Sequence, residues 1–416
     1  MVSTFHGLET GKRALSVGQA SIATTGHNIA NANTKGYSRQ QVNQSTSPSL
    51  DIWTNSTNPG QLGSGVSIDS ITRVRDRFLD NQHRDQSATL ADAQTKQAAF
   101  DRLEGIINEP SDAGLNSAMD QLRNAWQDLS NNPDSASAQA VVKERAQAFV
   151  EVAQSMDSSM ENMKLDLDQQ KAAAVTEAND YLKQIASLND SIVRGGNTSN
   201  DLKDQRDVLV EKLSALAPIK VDAQANGSYT ISLKQPEGEP DLKMVEGNSV
   251  TEEIADGTAV TGGKIAGLIS AENKVQENHE KLIDVATKFA EANNETIDGD
   301  PLFSNTASIA EMEVNVEATL GTPTADMEVG IKEAKTAYQE LVSVLGVQSQ
   351  SATRSVANFE ATLQATENRR QSVSGVSLDE EMANLVKFQH SYSAAARLIS
   401  TADQMLDTII NRMAAR

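Results

Sequence analysis

Apolar side chains recur at seven-residue intervals at both ends of this chain, and that spacing constrains its fold more than any other feature. At the N-terminus the series is Leu8, Leu15, Ile22 and Ile29. At the C-terminus it is Leu378, Leu385, Tyr392, Ile399, Leu406 and Met413. Three places beyond the N-terminal members stand the small residues Gly11, Gly18, Thr25 and Ala32. The matching C-terminal column is Phe388, Ala395, Ala402 and Ile409. Two columns in this phase are the a and d seams of a coiled coil. A straight helix drifts about 20° per heptad, so a strict seven-residue repeat implies partners that supercoil with it. The spacing alone leaves one alternative open, an amphipathic helix lying on its own globular core.

The N-terminal helix is poorly made to stand alone. Gly7, Gly11, Gly18 and Gly26 each cost about 1 kcal/mol against alanine in a helix interior. A surface without Cβ atoms does allow close approach of a partner backbone. We therefore expect this segment to be loose in the free monomer and to fold against a long helix. The C-terminal segment is the nearest candidate, and neighbouring subunits are the next. Ser377-Leu378-Asp379-Glu380 reads as a capping box that starts the C-terminal helix.

The first seam runs into TTGHNIANANTKGYSRQ, residues 24–40, where Asn28, Asn31 and Asn33 fall within six positions. Asparagine is a weak helix former and a good cap or turn residue. Gly36 can take the positive φ of a chain reversal. Chemistry alone makes this a helix end passing into a loop.

The block HNIANANTKGYSRQ, with Tyr37 near its end, resembles the N-terminal signature of the bacterial flagellar axial family of rod, hook and hook-associated proteins. The stretch from Ser374 to Met413 resembles the partner helix of that family. Two further stretches, GQLGSGVSIDSITRVRDRFLDNQHRDQ at 60–86 and DLKDQRDVLVEKLS at 201–214, followed by GGKIAGLI at 262–269, resemble its hook-associated members. The resemblance implies a structural flagellar subunit that joins hook to filament and assembles by burying its terminal helices. It implies export through the flagellar type III apparatus, and a position outside the cell. Implied partners are neighbouring copies in a ring, the hook protein, a second junction protein (hook-associated protein 3), and an export chaperone on the C-terminal helix. The seam residues named above, with Asn28, Asn31, Asn33, Gly36 and Tyr37, are the expected assembly residues. Members often carry a larger central insertion, and this chain is on the short side.

Between the ends, helical spacing dominates from about Arg75 to Leu216. Leu115, Met119, Leu122, Trp126 and Leu129 recur at 4-3-4-3 spacing, and Phe149 through Leu167 continues it. Another helix is expected over about 172–192, and the next, from Asp201, breaks at Pro218. Beyond it Ile219, Val221 and Ala223 alternate with polar residues, then Tyr229, Ile231 and Leu233, with Asn226-Gly227 between. That is a hairpin signal. Helix resumes from Lys264 to about Asn294, and a long helix through Arg370 follows an irregular stretch. The fold expected is mainly α with a small inserted β domain: the terminal helices pair as a coiled coil on an elongated helical-bundle body. Residues 1–45 plus 375–416 form a terminal core domain, 46–217 plus 263–374 the helical bundle, and 218–262 a small outer domain.

The net charge of −21 argues against nucleic acid and anionic membrane as partners. No apolar run is long enough to span a bilayer, and the N-terminus lacks an ordinary secretory signal. Cysteine is absent, which removes disulfides and thiolate chemistry. None of the five histidines has a metal-ligand spacing, and GQLGSG at 60–65 lacks the phosphate-loop lysine, reading instead as turns before a Val66–Ile71 strand. No catalytic, cofactor or metal constellation is expected. The competing readings are a flagellar hook or rod subunit, a soluble coiled-coil signalling adaptor, and a wall-cutting enzyme carrying axial termini.

Overall fold

The computed structural model describes residues 5–52, 60–236, 238–255 and 257–408. Its frame is helical. The N-terminal helix α1, His6–Ala30, lies along the last one, α8, Leu378–Asp407. Between them run α2 (Arg77–Ile107), α3 (Leu115–Asn131), α4 (Ala136–Arg194), α5 (Asn200–Leu216), α6 (Gly263–Asn293) and α7 (Ala325–Ser374). N-caps are set by chemistry: the side chains of Asp76, Ser135, Thr324 and Ser377 accept from backbone amides of the first turns of α2, α4, α7 and α8.

The covered side of α1 is its small side. Gly11, Val17, Gly18, Ser21, Thr24, Thr25 and Asn28 are buried, whereas Leu8, Leu15, Ile22 and Ile29 are half-buried along the rim. On α8, Leu385, Phe388, Tyr392, Ile399 and Leu406 are half-buried and Ala395 is buried. Leu378, placed in the seam by spacing, is instead 51% exposed, because it opens the helix rather than lying over α1. Ile409 and Met413 lie outside the described residues.

Two strands that follow the asparagine loop form an antiparallel ribbon: β1, Gln40–Thr46, pairs with β4, Val66–Arg73. A shorter pair, β2 (Leu50–Ile52) with β3 (Gly60–Leu62), extends from it. β4 answers the expected strand; β1 was invisible, since QQVNQST has no apolar alternation. The ribbon lies against α1, with Gln44 Nε2 donating to Ser21 Oγ at 3.3 Å. The Gly63–Gly65 turn holds the start of α1: His6 Nε2 lies 3.1 Å from Gly63 O, and Arg13 donates to Ser64 O at 3.4 Å.

In the body, one correction concerns α4. The spacing suggests two helices, one ending near Leu167 and another beginning near Ala172. The structure has a single 59-residue helix. The apolar face lapses over Asp168-Gln169-Gln170-Lys171, but these residues and the alanines beyond them include no breaker. Lys171 ties the lapse down by reaching Asp168 at 2.9 Å and Glu272 of α6 at 3.1 Å.

After α5 the expected hairpin is present within a four-stranded antiparallel sheet, β5 (Ile219–Ala223), β6 (Tyr229–Leu233), β7 (Leu242–Glu246) and β8 (Ser249–Val250), in that order. Ile231, Leu233, Met244 and Val245 of this sheet join the same hydrophobic core as the helices. Four short strands fill the stretch between α6 and α7: β9 (Thr296–Ile297) pairs β12 (Thr322–Pro323), and β10 (Phe303–Ser304) pairs β11 (Glu313–Val314). Phe303 closes on Phe149, which also meets Phe289 with centroids 4.6 Å apart. Two buried polar pairs fix register between helices: Trp126 Nε1 donates to Asn293 at 2.8 Å, and His279 meets Asp157 at 2.7 Å.

Candidate assembly interface

The seating of α1 on α8 depends on the absence of side chains. A Cβ built at Gly11 would stand 2.7 Å from Ile399 Cγ1, and one at Gly18 would stand 3.4 Å from Tyr392 Cα. The helices approach at the d column of one and the a column of the other. Close contact of this kind replaces the knobs that a leucine seam would supply.

The asparagine loop begins where this pair ends. Asn28 is 1% exposed and makes four hydrogen bonds. Its amide nitrogen donates to Gln40 O at 2.9 Å and to the Glu381 carboxylate at 3.0 Å. Its carbonyl accepts from Tyr37 Oη at 2.7 Å and from Gln40 N at 2.9 Å. One side chain thus joins the end of α1, the start of β1 and the start of α8. Burial, followed by the nearby charges of Asp201, Asp204 and Glu381, pushes the Tyr37 phenol well above its ordinary pKa, so it stays a neutral donor. Asn31 caps α1 differently: its amide reaches His27 O at 3.0 Å, and it accepts from Thr34 Oγ1 at 3.2 Å. Asn33 is exposed on the turn. Gly36 has φ +81°, and a Cβ there would meet Val208 Cγ2 at 2.1 Å. Its conformation and its neighbour both require glycine.

The capping box of α8 is half made. Ser377 Oγ accepts from Glu380 N at 3.5 Å, but the Glu380 carboxylate takes Arg39 at 2.9 Å instead of closing back on Ser377. The second half of the box has been spent on tying α8 to the strand after the loop.

Sequence reasoning missed the acidic face of α5 beneath this loop. Ser38 donates to Asp204 from its amide at 3.0 Å and from its hydroxyl at 2.7 Å. Arg73 bridges Asp204 and Asp207 at 2.7 Å each, and Arg75 joins Asp207 to Asp80, also at 2.7 Å. Arg370, from the end of α7, binds Glu211 and lies 2.9 Å from Glu367. The recurrence of acids at 201, 204, 207 and 211 was the available signal.

Burial alone would raise the Asp207 carboxyl, but Arg75, Arg73 and Arg206 outweigh it and hold it below the usual range. Glu367 is likewise lowered against its burial, by Gln371, Arg370 and His83. His83 is lowered by burial and then by Arg370. Each of the three binds fewer protons folded than unfolded, so stability rises with pH across its range. The thermal midpoint is expected to fall from about pH 6.5 downward as His83 takes a proton, and again below about pH 4 as the carboxylates do. Melting curves at pH 7, 5.5 and 3.5 check this; a midpoint that rises in acid contradicts the assignment.

Among the described residues, no group of three His, Asp or Glu is placed to hold a metal ion, and no helix is long and apolar enough to cross a membrane.

Three family models match separate stretches of the chain. Residues 8–37 match the family model described as flagella basal body rod protein, and residues 368–413 match that of the flagellar basal body rod FlgEFG protein C-terminal. Residues 100–252 match the flagellar hook-associated protein FlgK helical domain. Over its whole length the chain is similar to flagellar hook-associated protein 1 of Bacillus subtilis (strain 168), with 32% identity covering 99% of each chain. The chain belongs to the flagellar hook-associated protein 1 family.

The hook-associated protein 1 of Escherichia coli (strain K12) is 23% identical, over 95% of this chain and 98% of its own. These alignments extend over 505 and 542 positions against 416 residues here, so both relatives carry insertions that this chain lacks. A solved structure, the flagellar hook junction protein FlgK from Burkholderia pseudomallei, matches with 24% identity and a TM-score of 0.48 over 54% of this chain and 46% of that one. Members of the hook-associated protein 1 family are structural and non-enzymatic, and this chain is a component of the hook–filament junction outside the cell. The rod-type likeness is confined to the termini; the helical body is that of the hook-associated family.

Proposed function

We propose that this chain forms a ring of identical subunits, seated on the hook protein and carrying hook-associated protein 3. In this reading the α1/α8 pair supplies the inner contact and the body stands outside it. The carrying observation is the apolar surface that α1 leaves uncovered on α8. Met382, Val386, Leu398 and Met405 are 57%, 51%, 47% and 61% exposed, on the two flanks of the seam that α1 occupies, with Leu398 at its edge beside Gly11. A helix that keeps large apolar side chains exposed beside a covered seam is built for a further neighbour. The same surface, exposed before export, would suit an export chaperone. The seam residues, Asn28 and Gly36 serve assembly by holding α1, α8 and the ribbon in one unit. The proposed division remains a terminal core of 1–45 and 375–416, a helical bundle of 46–217 and 263–374, and an outer part of 218–262.

The test is electron microscopy of cells lacking the gene, complemented with the full chain or with one ending at residue 374. Full chain is expected to restore filaments. The shortened chain is expected to leave bare hooks, with flagellin in the medium. Filaments on cells carrying only the shortened chain would refute the role given to α8.

A further inference from the structure

Helix α5 is hydrogen-bonded at successive turns to different parts of the molecule. Asp201 accepts from Gln40 Nε2 at 3.0 Å, just past the asparagine loop. Asp204 accepts from Ser38 and from Arg73, the last residue of β4. Asp207 accepts from Arg73 and Arg75, the latter at the entrance of α2, and Glu211 accepts from Arg370 near the end of α7. On its other side Arg206, 1% exposed, donates at 2.7 Å to both Asn189 of α4 and Gly227 O in the sheet turn, with its guanidinium 3.4 Å from the Tyr229 ring centre. Asn189 in turn holds Tyr229 N and O and Gly247 O.

Some of these parts also meet directly, Gln40 pairing with Arg73 in the ribbon and Arg39 N donating to Ser374 O at 3.0 Å, but α5 bonds to all of them. The chain passes from the terminal unit into the body through the ribbon at Arg73–Arg75 and returns through Ser374–Ser377, and α5 grips both crossings. An apolar contact here would tolerate sliding and rotation, because dispersion and burial are weakly directional. Charged hydrogen bonds at 2.7 Å are directional, and the fork of Arg75 on Asp80 fixes an orientation as well as a distance. Buried ion pairs add little net stability compared with apolar replacements. Their clustering along α5 therefore points to geometry rather than strength.

From this arrangement we infer that α5 is a positioning element, whose acidic face sets the angle at which the ribbon and the terminal helix pair leave the body. Asp204 and Asp207, through Arg73, are the residues that carry it. This goes beyond membership of the junction family and does not depend on which partners the ring contacts.

The chain has no cysteine, so a clean pair of spin labels can be introduced at two exposed positions, Asp69→Cys on the ribbon and Gln169→Cys on α4. Pulsed electron resonance on the full chain then reads the distribution of distances between ribbon and body. In the parent it is expected to be narrow. In Asp204→Ala/Asp207→Ala its width is expected to grow about twofold. That variant leaves Arg73 without its two carboxylate partners in a buried site, so Arg73→Met/Asp204→Leu/Asp207→Leu serves as the second variant, replacing Arg73 and both carboxylates with apolar groups. It takes the acceptor from Ser38 and one acceptor from Arg75, so it is expected to fold with a moderately lowered thermal midpoint and still show the broadened distribution. A control, His279→Gln, weakens a buried pair within the body and is expected to keep the narrow distribution. A narrow distribution in the folded apolar variant, or an equal broadening in the control, overturns the inference.

Discussion

A strain whose only copy carries Asn28→Leu is expected to bear hooks without filaments and to lose flagellin to the medium. The substitution keeps size and removes every polar atom of the side chain. It leaves the Gln40 amide and carbonyl, the Tyr37 hydroxyl and one Glu381 oxygen without the partner each has now. A buried polar group stripped of its partner costs about 1–3 kcal/mol, and a carboxylate more; with Tyr37 and Gln40 half-buried and able to turn to water, the terminal unit loses about 2–4 kcal/mol, mostly at Glu381. The loss is local. The core of α3, α4 and α6 contains none of these atoms, so the main thermal transition of the purified chain is expected to move little. Proteolysis and amide exchange of residues 24–42 and 376–384 are expected to accelerate. Normal filaments on the variant strain would show that the four bonds are dispensable.

Gly18→Leu is expected to separate local helix strength from assembly, with opposite signs. Leucine favours the isolated helix by about 1 kcal/mol over glycine. A peptide of residues 5–31 should therefore become more helical. In the whole chain the added side chain has no room, since even a Cβ stands 3.3 Å from Tyr392 Cβ and 3.4 Å from its Cα. Backbone cannot rotate away as a side-chain end can, so α8 must shift as a unit. Gly11→Ala is the milder companion. Its Cβ meets Ile399 Cγ1 at 2.7 Å and Leu398 Cδ2 at 3.1 Å, side-chain atoms rather than backbone. Motility is expected to be lost with Gly18→Leu and reduced with Gly11→Ala, and amide exchange along α8 should rank the two in the same order. Equal protection of α8 in parent and Gly18→Leu chains would refute the close-packing account.

The pairing of α1 with α8 was legible because its seam needs only residue size and spacing. Which column is covered was less so: hydrophobicity points to Leu8, Leu15, Ile22 and Ile29, whereas close approach buries Gly11 and Gly18 and leaves the larger residues at the rim. The β6 hairpin was readable from alternation and Asn226-Gly227. β1 was not, because its strand character comes from pairing with β4 and packing on α1 rather than from its own residues. The single α4 was hidden by the four polar residues 168–171, which end a stripe without ending a helix. The polar hub of Asn28 could be located but not explained. Its partners lie 9, 12 and 353 residues away, and nothing local announces the last of them.

The unbroken α4 has a consequence for precision. At 1.5 Å per residue its 59 residues form a beam roughly 88 Å long. Its C-terminal end adjoins the loop into α5, where the bonds of Asp204, Arg206 and Asp207 gather. So long a helix magnifies any angular error at one end: a tilt of about 5° there carries the far tip roughly 8 Å sideways. In the proposed ring of subunits, the place of each outer part is thus decided by small angular tolerances where the body meets the terminal helix pair.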